Sequence, residues 1–166
     1  MKAKGYLFDL DGTMYNGTEP VKEAVDFVNR LQEEDVPYLF VTNNASMTAE
    51  AVAEKLRGMG VHSNAEHVLT SAMATGRYIA ELDPGAKVYA IGEGGLIDAL
   101  ERQGLQVVAD EHADYVVIGL DRQITYEKLA IGALAIRAGA RFISTNGDIA
   151  IPTERGFLPG NGALTS

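Results

Sequence analysis

Asp9 and Asp11 are the two residues whose type and spacing most clearly suggest chemistry. They follow the apolar run Tyr6–Phe8 and precede Gly12, which predicts that they lie where a buried strand ends. Carboxylates two positions apart point to the same side of an extended chain. Because neighbouring anions repel each other unless a cation joins them, the pair predicts a Mg²⁺ site with one carboxylate left free to react.

An EF-hand calcium loop and a plain hairpin turn are the alternatives for an Asp-x-Asp-Gly sequence. The EF-hand requires glycine at the sixth loop position and a bidentate glutamate at the twelfth. This chain has Met14 and Pro20 there. A hairpin turn at Asp11 and Gly12 would leave Asp9 unexplained as a charge at the end of an apolar strand. The catalytic interpretation is therefore favoured.

A second polar group, Thr42-Asn43-Asn44, ends the next apolar run. Ligands gather at the carboxyl ends of strands in open α/β sheets. A threonine hydroxyl and free backbone N–H groups at such an end suit the oxygens of a phosphate. The alternative is that these side chains only cap the following helix. The presence of Asp9 at the end of the preceding strand favours phosphate binding.

Two glycine-containing segments carry weaker signals. Gly92-Glu-Gly-Gly95 is placed like a dinucleotide-binding loop, but Ile97 occupies the position of the third glycine and Glu93 would repel a pyrophosphate, so an ordinary turn is favoured. Asn146-Gly-Asp148 is a turn sequence after a predicted strand. That placement makes it either a simple turn or a loop that faces the substrate.

Strand-like and helix-like segments alternate along the chain, which predicts an α/β fold with parallel strands and right-handed helical crossovers. The predicted strands are residues 6–10, 37–42, 67–70, 87–91, 105–108, 115–120 and 141–145. The predicted helices are residues 21–31, 48–59, 71–82, 96–103 and 126–138. The turn sequence at 83–85 divides the chain into residues 1–82 and 83–166, and the last twenty residues are rich in turns, without a closing element.

Composition limits the class of protein. The net charge is −9 and basic residues form no long run, so nucleic acid is not an expected partner. No apolar stretch reaches the length of a membrane span, and the N-terminus lacks the apolar region of a signal peptide. The absence of cysteine excludes disulfides and a thiolate nucleophile. A cytoplasmic enzyme is expected.

Four segments together resemble a known family. Leu-Phe-Asp-Leu-Asp-Gly-Thr-Met-Tyr at 7–15 resembles the first motif of the haloacid dehalogenase (HAD) superfamily, and Phe-Val-Thr-Asn-Asn at 40–44 resembles its second. The order of these motifs, with Ser-Thr-Asn-Gly-Asp at 144–148 and Pro-Gly-Asn-Gly-Ala at 159–163, resembles the NagD-like branch, subfamily IIA. The resemblance implies a partial Rossmann-like parallel sheet core over 1–82 and a C2-type α/β cap over 83–166.

The resemblance also implies Mg²⁺-dependent hydrolysis of phosphomonoesters through an aspartyl-phosphate. Asp9 would be the nucleophile and Asp11 the acid and base. An acid at position 11 suits an ester leaving group, which needs a proton, whereas a departing halide needs none. The Asp9 carboxylate and the Asp11 backbone carbonyl would hold Mg²⁺.

Further roles follow by the same analogy. Thr42 and the backbone N–H of Asn43 would bind the phosphoryl oxygens, while Gly12 and Thr13 would shape the loop around them. Asn146 and Asp148 in the cap would contribute to substrate selectivity. The expected partners are small phosphorylated metabolites whose identity the motifs do not define.

Two parts of the family pattern are missing from the 166 residues. The third motif, a lysine, and the fourth, an acidic cluster that completes the Mg²⁺ shell, do not occur, and the chain stops where a helix returning to the core would begin. We therefore expect this chain alone to be a truncated phosphatase with little or no activity. The strand before Asp9 would have an open edge, so either self-association or pairing with the missing C-terminal core segment is expected.

Two other functional classes remain open. A phosphotransferase or phosphomutase would use the same nucleophile and transfer the phosphoryl group to a sugar instead of water. A non-catalytic phosphate-binding or interaction module would bind phosphate without turnover.

Overall fold

The structure is a computed structural model that describes residues 4–153 and 155–165. Its strands are β1 Tyr6–Phe8, β2 Tyr15–Asn16, β3 Glu19–Pro20, β4 Tyr38–Thr42, β5 Val68–Thr70, β6 Lys87–Ile91, β7 Gln106–Val108, β8 Tyr115–Ile118, β9 Arg141–Ser144, β10 Ala150–Thr153 and β11 Gly156–Pro159. Its helices are α1 Lys22–Glu33, α2 Ala49–Gly58, α3 Ser71–Leu82, α4 Gly94–Arg102, α5 Tyr126–Ala138 and α6 Gly162–Thr165. Within the described ranges, no helix is both long enough and apolar enough to span a bilayer.

One compact unit consists of Met1–Thr42 and Ala49–Thr70. Its main sheet has the strand order β1-β4-β5, and both pairings are parallel. Phe8 is level with Phe40, and Thr42 is level with Thr70. All three strands therefore end at the same edge of the sheet, where the predicted catalytic residues follow β1.

Packing in this unit follows the apolar periodicity of its helices. Helix α1 buries Val25, Val28 and Leu31, which are spaced by three residues and lie on one helix face. Strand β1 lies at the edge of the sheet and pairs only with β4 among the described residues. Leu7 on this strand is 75% exposed. The open edge expected for the Asp9 strand is thus present in this structure.

The second compact unit consists of Asn43–Thr48 and Ser71–Ser166. Its parallel sheet has the order β7-β6-β8-β9. Along β8, Tyr115 and Val117 join a core with α3 and α4, whereas Val116 and Ile118 join a second core beneath α5. Helices cover both faces of this strand, which explains why its sequence is a continuous apolar run.

Helix α3 belongs to the second unit, although the boundary at 83–85 placed it in the first part of the chain. It packs against α4, because its buried residues Ala72 and Ile79 share a core with Leu96 and Leu100. The turn at 83–85 therefore connects α3 and β6 within one compact unit. The turn-forming residues at 83–85 therefore mark a connection between two elements and not a boundary between two units.

Two hairpins differ from the sequence prediction. Strands β2 and β3 pair antiparallel around Gly17, which has φ of +63°, in a segment that had no predicted strand. Strands β10 and β11 pair antiparallel, and α6 follows them, in the region predicted to contain turns without a closing element. In the second hairpin Gly156 has φ of +104°, a conformation that glycine adopts without steric cost.

Candidate active site

The loop after β1 carries two exposed carboxylates on either side of a buried leucine. Asp9 and Asp11 are exposed, whereas Leu10 between them is 1% exposed. Successive side chains of an extended segment point to opposite faces. The inward direction of Leu10 therefore turns both carboxylates towards solvent.

A tight turn holds this loop in place. The carbonyl oxygen of Leu10 accepts the backbone N–H groups of Thr13 at 3.2 Å, Met14 at 2.8 Å and Tyr15 at 3.3 Å. The N–H of Gly12 donates to the carbonyl of Tyr15 at 2.8 Å. Gly12 has φ of +82°, which favours glycine. Because the Met14 and Tyr15 side chains are buried, the turn is fixed to the core while Gly12 and Thr13 stay exposed.

Tyr15 connects this turn to the second aspartate. The backbones of Asp11 and Tyr15 form an isolated β-bridge. Burial raises the pKa of the Tyr15 phenol above its ordinary value, and the negative charges of Asp11 and Asp9 raise it further. On the ring itself, the ammonium nitrogen of Lys55 in α2 lies 3.6 Å from the centroid. The face of the Tyr15 ring thus lies against a cation, while its hydroxyl is under the influence of the two aspartate charges.

Thr42 is the last residue of β4 and is 3% exposed. Since β4 is the direct neighbour of β1, and Phe8 is level with Phe40, Thr42 and Asp9 both lie at the carboxyl edge of this sheet. Thr70 ends β5 at the same level and is also buried. The buried Thr42 hydroxyl thus ends a strand at the sheet edge that also carries the two carboxylates, and ligands bind at such edges in open α/β sheets.

In the second unit, three predicted site residues contact one another. The Asn43 carbonyl accepts hydrogen bonds from the Ser71 hydroxyl at 2.7 Å and from the Asn146 side-chain amide at 3.0 Å. The Asn43 side-chain amide donates to the Asp148 carboxylate. The loop that contains Asn146 and Asp148 therefore fixes the peptide group of Asn43.

A buried asparagine supports that loop from behind. Asn161 is 1% exposed, and its amide nitrogen donates to the Asn146 carbonyl at 2.7 Å and to the Ser144 hydroxyl at 2.9 Å. The backbone at Gly162 approaches the Gly147 carbonyl so closely that a Cβ there would lie 2.3 Å from its oxygen. The Pro-Gly-Asn-Gly segment at 159–162 therefore packs directly against the loop.

The profile of the haloacid dehalogenase-like hydrolase family matches residues 6–106, which include the Asp9–Asp11 pair and Thr42. The chain belongs to this family. A curated relative from Bacillus subtilis strain 168, named 5'-nucleotidase YutF, is 61% identical over 163 residues. An acid sugar phosphatase from Staphylococcus aureus strain MRSA252 is 58% identical over the same length. In both cases the match covers 98% of this chain and 63% of the relative, so the chain spans 63% of the length of these relatives.

Solved structures of family members have the same fold. A variant of the thermostable p-nitrophenylphosphatase of Bacillus stearothermophilus superposes with a TM-score of 0.86 at 54% identity, covering 98% of this chain and 63% of that one. The glycerol phosphate phosphatase of Mycobacterium tuberculosis, solved in complex with magnesium, gives a TM-score of 0.87 at 40% identity. That match covers 97% of this chain and 49% of the other. The predicted HAD-type α/β fold is confirmed.

The donor atoms at the strand edge fit a magnesium ion. The described part of the chain contains no cluster of three or more histidine, cysteine or acidic side chains that could hold a metal. Mg²⁺ keeps several waters and binds through one or two carboxylates together with substrate phosphate oxygens. The exposed Asp9 carboxylate and the Asp11 backbone carbonyl offer hard oxygen ligands for such an ion. These two residues suit a partly hydrated magnesium ion.

Sequence reasoning did not find all residues of these two groups, one in each unit. It placed Asp9, Asp11, Gly12, Thr13 and Thr42 in the first unit, at the carboxyl edge of its sheet, where the structure has them. It assigned no role to the following residues: Tyr15, Lys55, Ser71 and Asn161. Tyr15 ends the first motif, so its place beside the aspartates was a usable signal, whereas the contacts of the other three depend on tertiary packing.

Proposed function

We propose that this chain carries the nucleophile, the acid and base, and part of the phosphate site of a Mg²⁺-dependent phosphomonoester hydrolase. The observation that carries the proposal is the pair of exposed carboxylates around buried Leu10, beside the strand end that holds Thr42. Membership of a family whose relatives are named as phosphatases and a nucleotidase supports it. We assign the first unit to the catalytic core and most of the second to the cap.

In the first step an Asp9 oxygen attacks phosphorus, and the bond from phosphorus to the leaving oxygen breaks. Asp11 donates its proton to that oxygen, so the product leaves as an alcohol. In the second step Asp11 accepts a proton from a water molecule, which attacks the aspartyl-phosphate and releases inorganic phosphate. Asp9 is then a free carboxylate again, and Asp11 carries the proton needed for the next cycle.

The phosphoryl group is held by donors around these carboxylates. The Thr42 hydroxyl and the backbone N–H of Asn43 bind its equatorial oxygens, where negative charge is greatest. Gly12 and Thr13 shape the exposed turn next to them. The Asp9 carboxylate and the Asp11 backbone carbonyl would hold Mg²⁺, which would supply positive charge against the phosphate and so favour attack by an anionic nucleophile.

Small phosphorylated metabolites are the substrate class. The relatives are named 5'-nucleotidase, acid sugar phosphatase, p-nitrophenylphosphatase and glycerol phosphate phosphatase, and these names favour small phosphomonoesters. A net charge of −9 disfavours a phosphate-rich polymer as substrate. We assign Asn146 and Asp148 a role in holding Asn43, with any effect on substrate selectivity acting through that contact.

A chimera tests the proposal. It joins residues 1–166 to the remaining C-terminal part of the Bacillus subtilis relative, and it is assayed with p-nitrophenyl phosphate and Mg²⁺. We expect turnover that Asp9→Asn and chelation of the metal both abolish, and we expect the 166-residue chain alone to show little activity. Acid quenching with ³²P-labelled substrate should leave label on the protein only when Asp9 is present.

Three results would contradict hydrolysis at this site. Turnover that survives Asp9→Asn would show that another group is the nucleophile. Transfer of the phosphoryl group to an added sugar in preference to water would identify a phosphotransferase or phosphomutase. Binding of inorganic phosphate by a chimera that has no turnover would favour the non-catalytic module.

A further inference from the structure

We propose that Asn161 is a positioning residue of the phosphate site and fixes the direction of the Asn43 backbone N–H through the side chain of Asn146. The inference rests on the proposed function, in which that N–H binds a phosphoryl oxygen. Asn161 itself is buried and is not proposed to touch the substrate. Its effect should therefore appear in the placement of Asn43 and in binding at the phosphate site.

The peptide group between Thr42 and Asn43 carries this N–H. Thr42 is the last residue of β4 and is level with Thr70 of β5, so the sheet holds one end of the peptide. Because the peptide itself is planar, the N–H changes direction relative to Asn43 mainly by rotation about the bond from the Asn43 nitrogen to its Cα. Contacts that fix the carbonyl and the side chain of Asn43 oppose this rotation.

Asn43 has such contacts on both groups. Its carbonyl accepts the Ser71 hydroxyl at 2.7 Å and the Asn146 side-chain amide at 3.0 Å. Its own side-chain amide donates to the Asp148 carboxylate, and a hydrogen bond to a charged acceptor is stronger than one between neutral groups. The start of α3 and the loop after β9 thus hold Asn43 together.

The Asn146 side chain has one orientation in this network. Its Oδ1 accepts the backbone N–H of Asp148 at 3.1 Å. Since an asparagine oxygen only accepts and its nitrogen only donates, Nδ2 is left to face the Asn43 carbonyl. The Asn146 carbonyl accepts the Ser144 hydroxyl and the Asn161 amide, each at 2.7 Å. Asn146 therefore presents its donor to Asn43 while its own backbone is held by these two groups.

Asn161 is the member of the network that the core encloses. It is 1% exposed, and its amide also donates to the Ser144 hydroxyl at 2.9 Å. A buried amide costs free energy unless it is hydrogen-bonded, so its partners determine where it points. Next to it, the N–H of Gly162 donates to the Asp148 carbonyl at 2.8 Å. Asn161 thus ties the loop after β9 to a buried segment of backbone.

The first test needs no turnover. In the ¹⁵N-labelled 166-residue chain, NMR measures the chemical shift of the Asn43 backbone amide, which reports its local geometry. Asn161→Ala should move this signal. Leu164→Ala should leave it in place, because Leu164 lies in α6 and packs against the core beneath α5, so its truncation loosens the same segment without removing a donor to the loop. An unmoved Asn43 signal in Asn161→Ala, or equal movement in both variants, would overturn the proposal.

The second test uses the chimera, with vanadate as an analogue of the transition state. An N–H aimed at the equatorial oxygens binds the transition state more strongly than the substrate. Asn161→Ala should therefore lower kcat/KM for p-nitrophenyl phosphate by about ten- to a hundredfold and raise the inhibition constant of vanadate by a similar factor, with a smaller change in KM. Leu164→Ala should leave the inhibition constant unchanged. If Asn161→Ala lowers kcat alone and vanadate binds as before, the variant only contains fewer folded molecules, and the positioning role is wrong.

Together the two tests separate this inference from the proposed function. A chimera without turnover would reject the proposed function, and a shift of the Asn43 signal confined to Asn161→Ala would then still assign Asn161 as the residue that positions Asn43. Turnover in the chimera together with an unmoved Asn43 signal would leave the proposed function in place and reject the role of Asn161.

Discussion

Leu10, the buried side chain between Asp9 and Asp11, determines the direction of both carboxylates. A leucine in the core turns its two neighbours outward, and the turn that follows returns Met14 and Tyr15 to the core. The like charges of the aspartates stay in contact with solvent, which keeps their repulsion small. Their placement therefore costs the fold little.

Gly12 allows the chain to turn back towards the core. Replacing it should change the free energy of unfolding in a direction that its backbone conformation predicts. Gly12 has φ of +82°, and a Cβ added there would meet no atom within 4 Å, so Gly12→Ala should lower the free energy of unfolding by about 1 kcal/mol through backbone strain alone. Gly58 ends α2 with equally open space but without a positive φ. Gly58→Ala should therefore raise the free energy of unfolding by roughly 0.5 kcal/mol. Urea unfolding of both variants measures whether the free energy of unfolding falls for Gly12→Ala and rises for Gly58→Ala. A change in the same direction for both variants would contradict this explanation.

Part of the candidate site was predictable because charge at the end of an apolar strand is unusual in any fold. Asp9 and Asp11 stand out by that pattern, and Thr42 stands out by its place at the end of the next apolar strand. The contact of Tyr15 with Lys55 could not be predicted, since a tyrosine after a threonine and a methionine is an ordinary core residue until its neighbours in the fold are known. Lys55 is forty residues further along the chain, and no local pattern links it to an aromatic ring.

At the scale of elements, the loop at Asn43–Thr48 is held by the start of α4. The N–H of Gly95 donates to the Ser46 carbonyl at 3.1 Å, and the helix backbone lies against Met47. This packing gives Gly95, in the segment Gly92-Glu-Gly-Gly95, a structural reason. The glycine allows the helix to approach the loop that follows Thr42.

Adjacent glycines in α4 provide a matched test of that packing. A Cβ at Gly95 would lie 2.5 Å from the backbone of Met47, whereas a Cβ at Gly94 would meet nothing within 4 Å. Gly95→Ala should lower the free energy of unfolding by about 1–3 kcal/mol, because backbone atoms cannot move aside as a flexible side chain would. Gly94→Ala should leave it nearly unchanged. Equal urea midpoints for the two variants would show that the Asn43–Thr48 loop moves aside to accommodate the added Cβ.

Elements with long apolar runs were the predictable part of the fold. The strand at Tyr115–Ile118 is covered on both faces, so its whole sequence is apolar and its assignment was direct. The hairpin Ala150–Thr153 with Gly156–Pro159 is largely exposed and contains two prolines, which gives it the composition of a loop. The unit to which α3 belongs could not be predicted either, since the apolar face of an amphipathic helix does not indicate which sheet the helix covers.

At the scale of the whole molecule, an open sheet edge and a large net charge act in opposite directions. Strand β1 pairs on one side only in the described ranges, and unpaired backbone N–H and C=O groups at such an edge favour pairing with another chain. The net charge of −9 keeps molecules apart. Salt reduces the repulsion, as the screening length falls from about 10 Å at 0.1 M to about 3 Å at 1 M, and it leaves the hydrogen-bonding edge intact.

Self-association of the 166-residue chain should therefore increase with salt and depend on β1. Leu7 on this strand is 75% exposed, and Leu7→Lys adds a charge to the edge, as natural edge strands do to avoid pairing. In sedimentation velocity at low and high salt, Leu7→Lys should suppress the salt-induced increase in mass. Leu82→Lys changes the net charge equally at the end of α3, where the leucine is 54% exposed, and should behave like the unmodified chain. Equal suppression by both variants would mean that charge, and not the β1 edge, controls association.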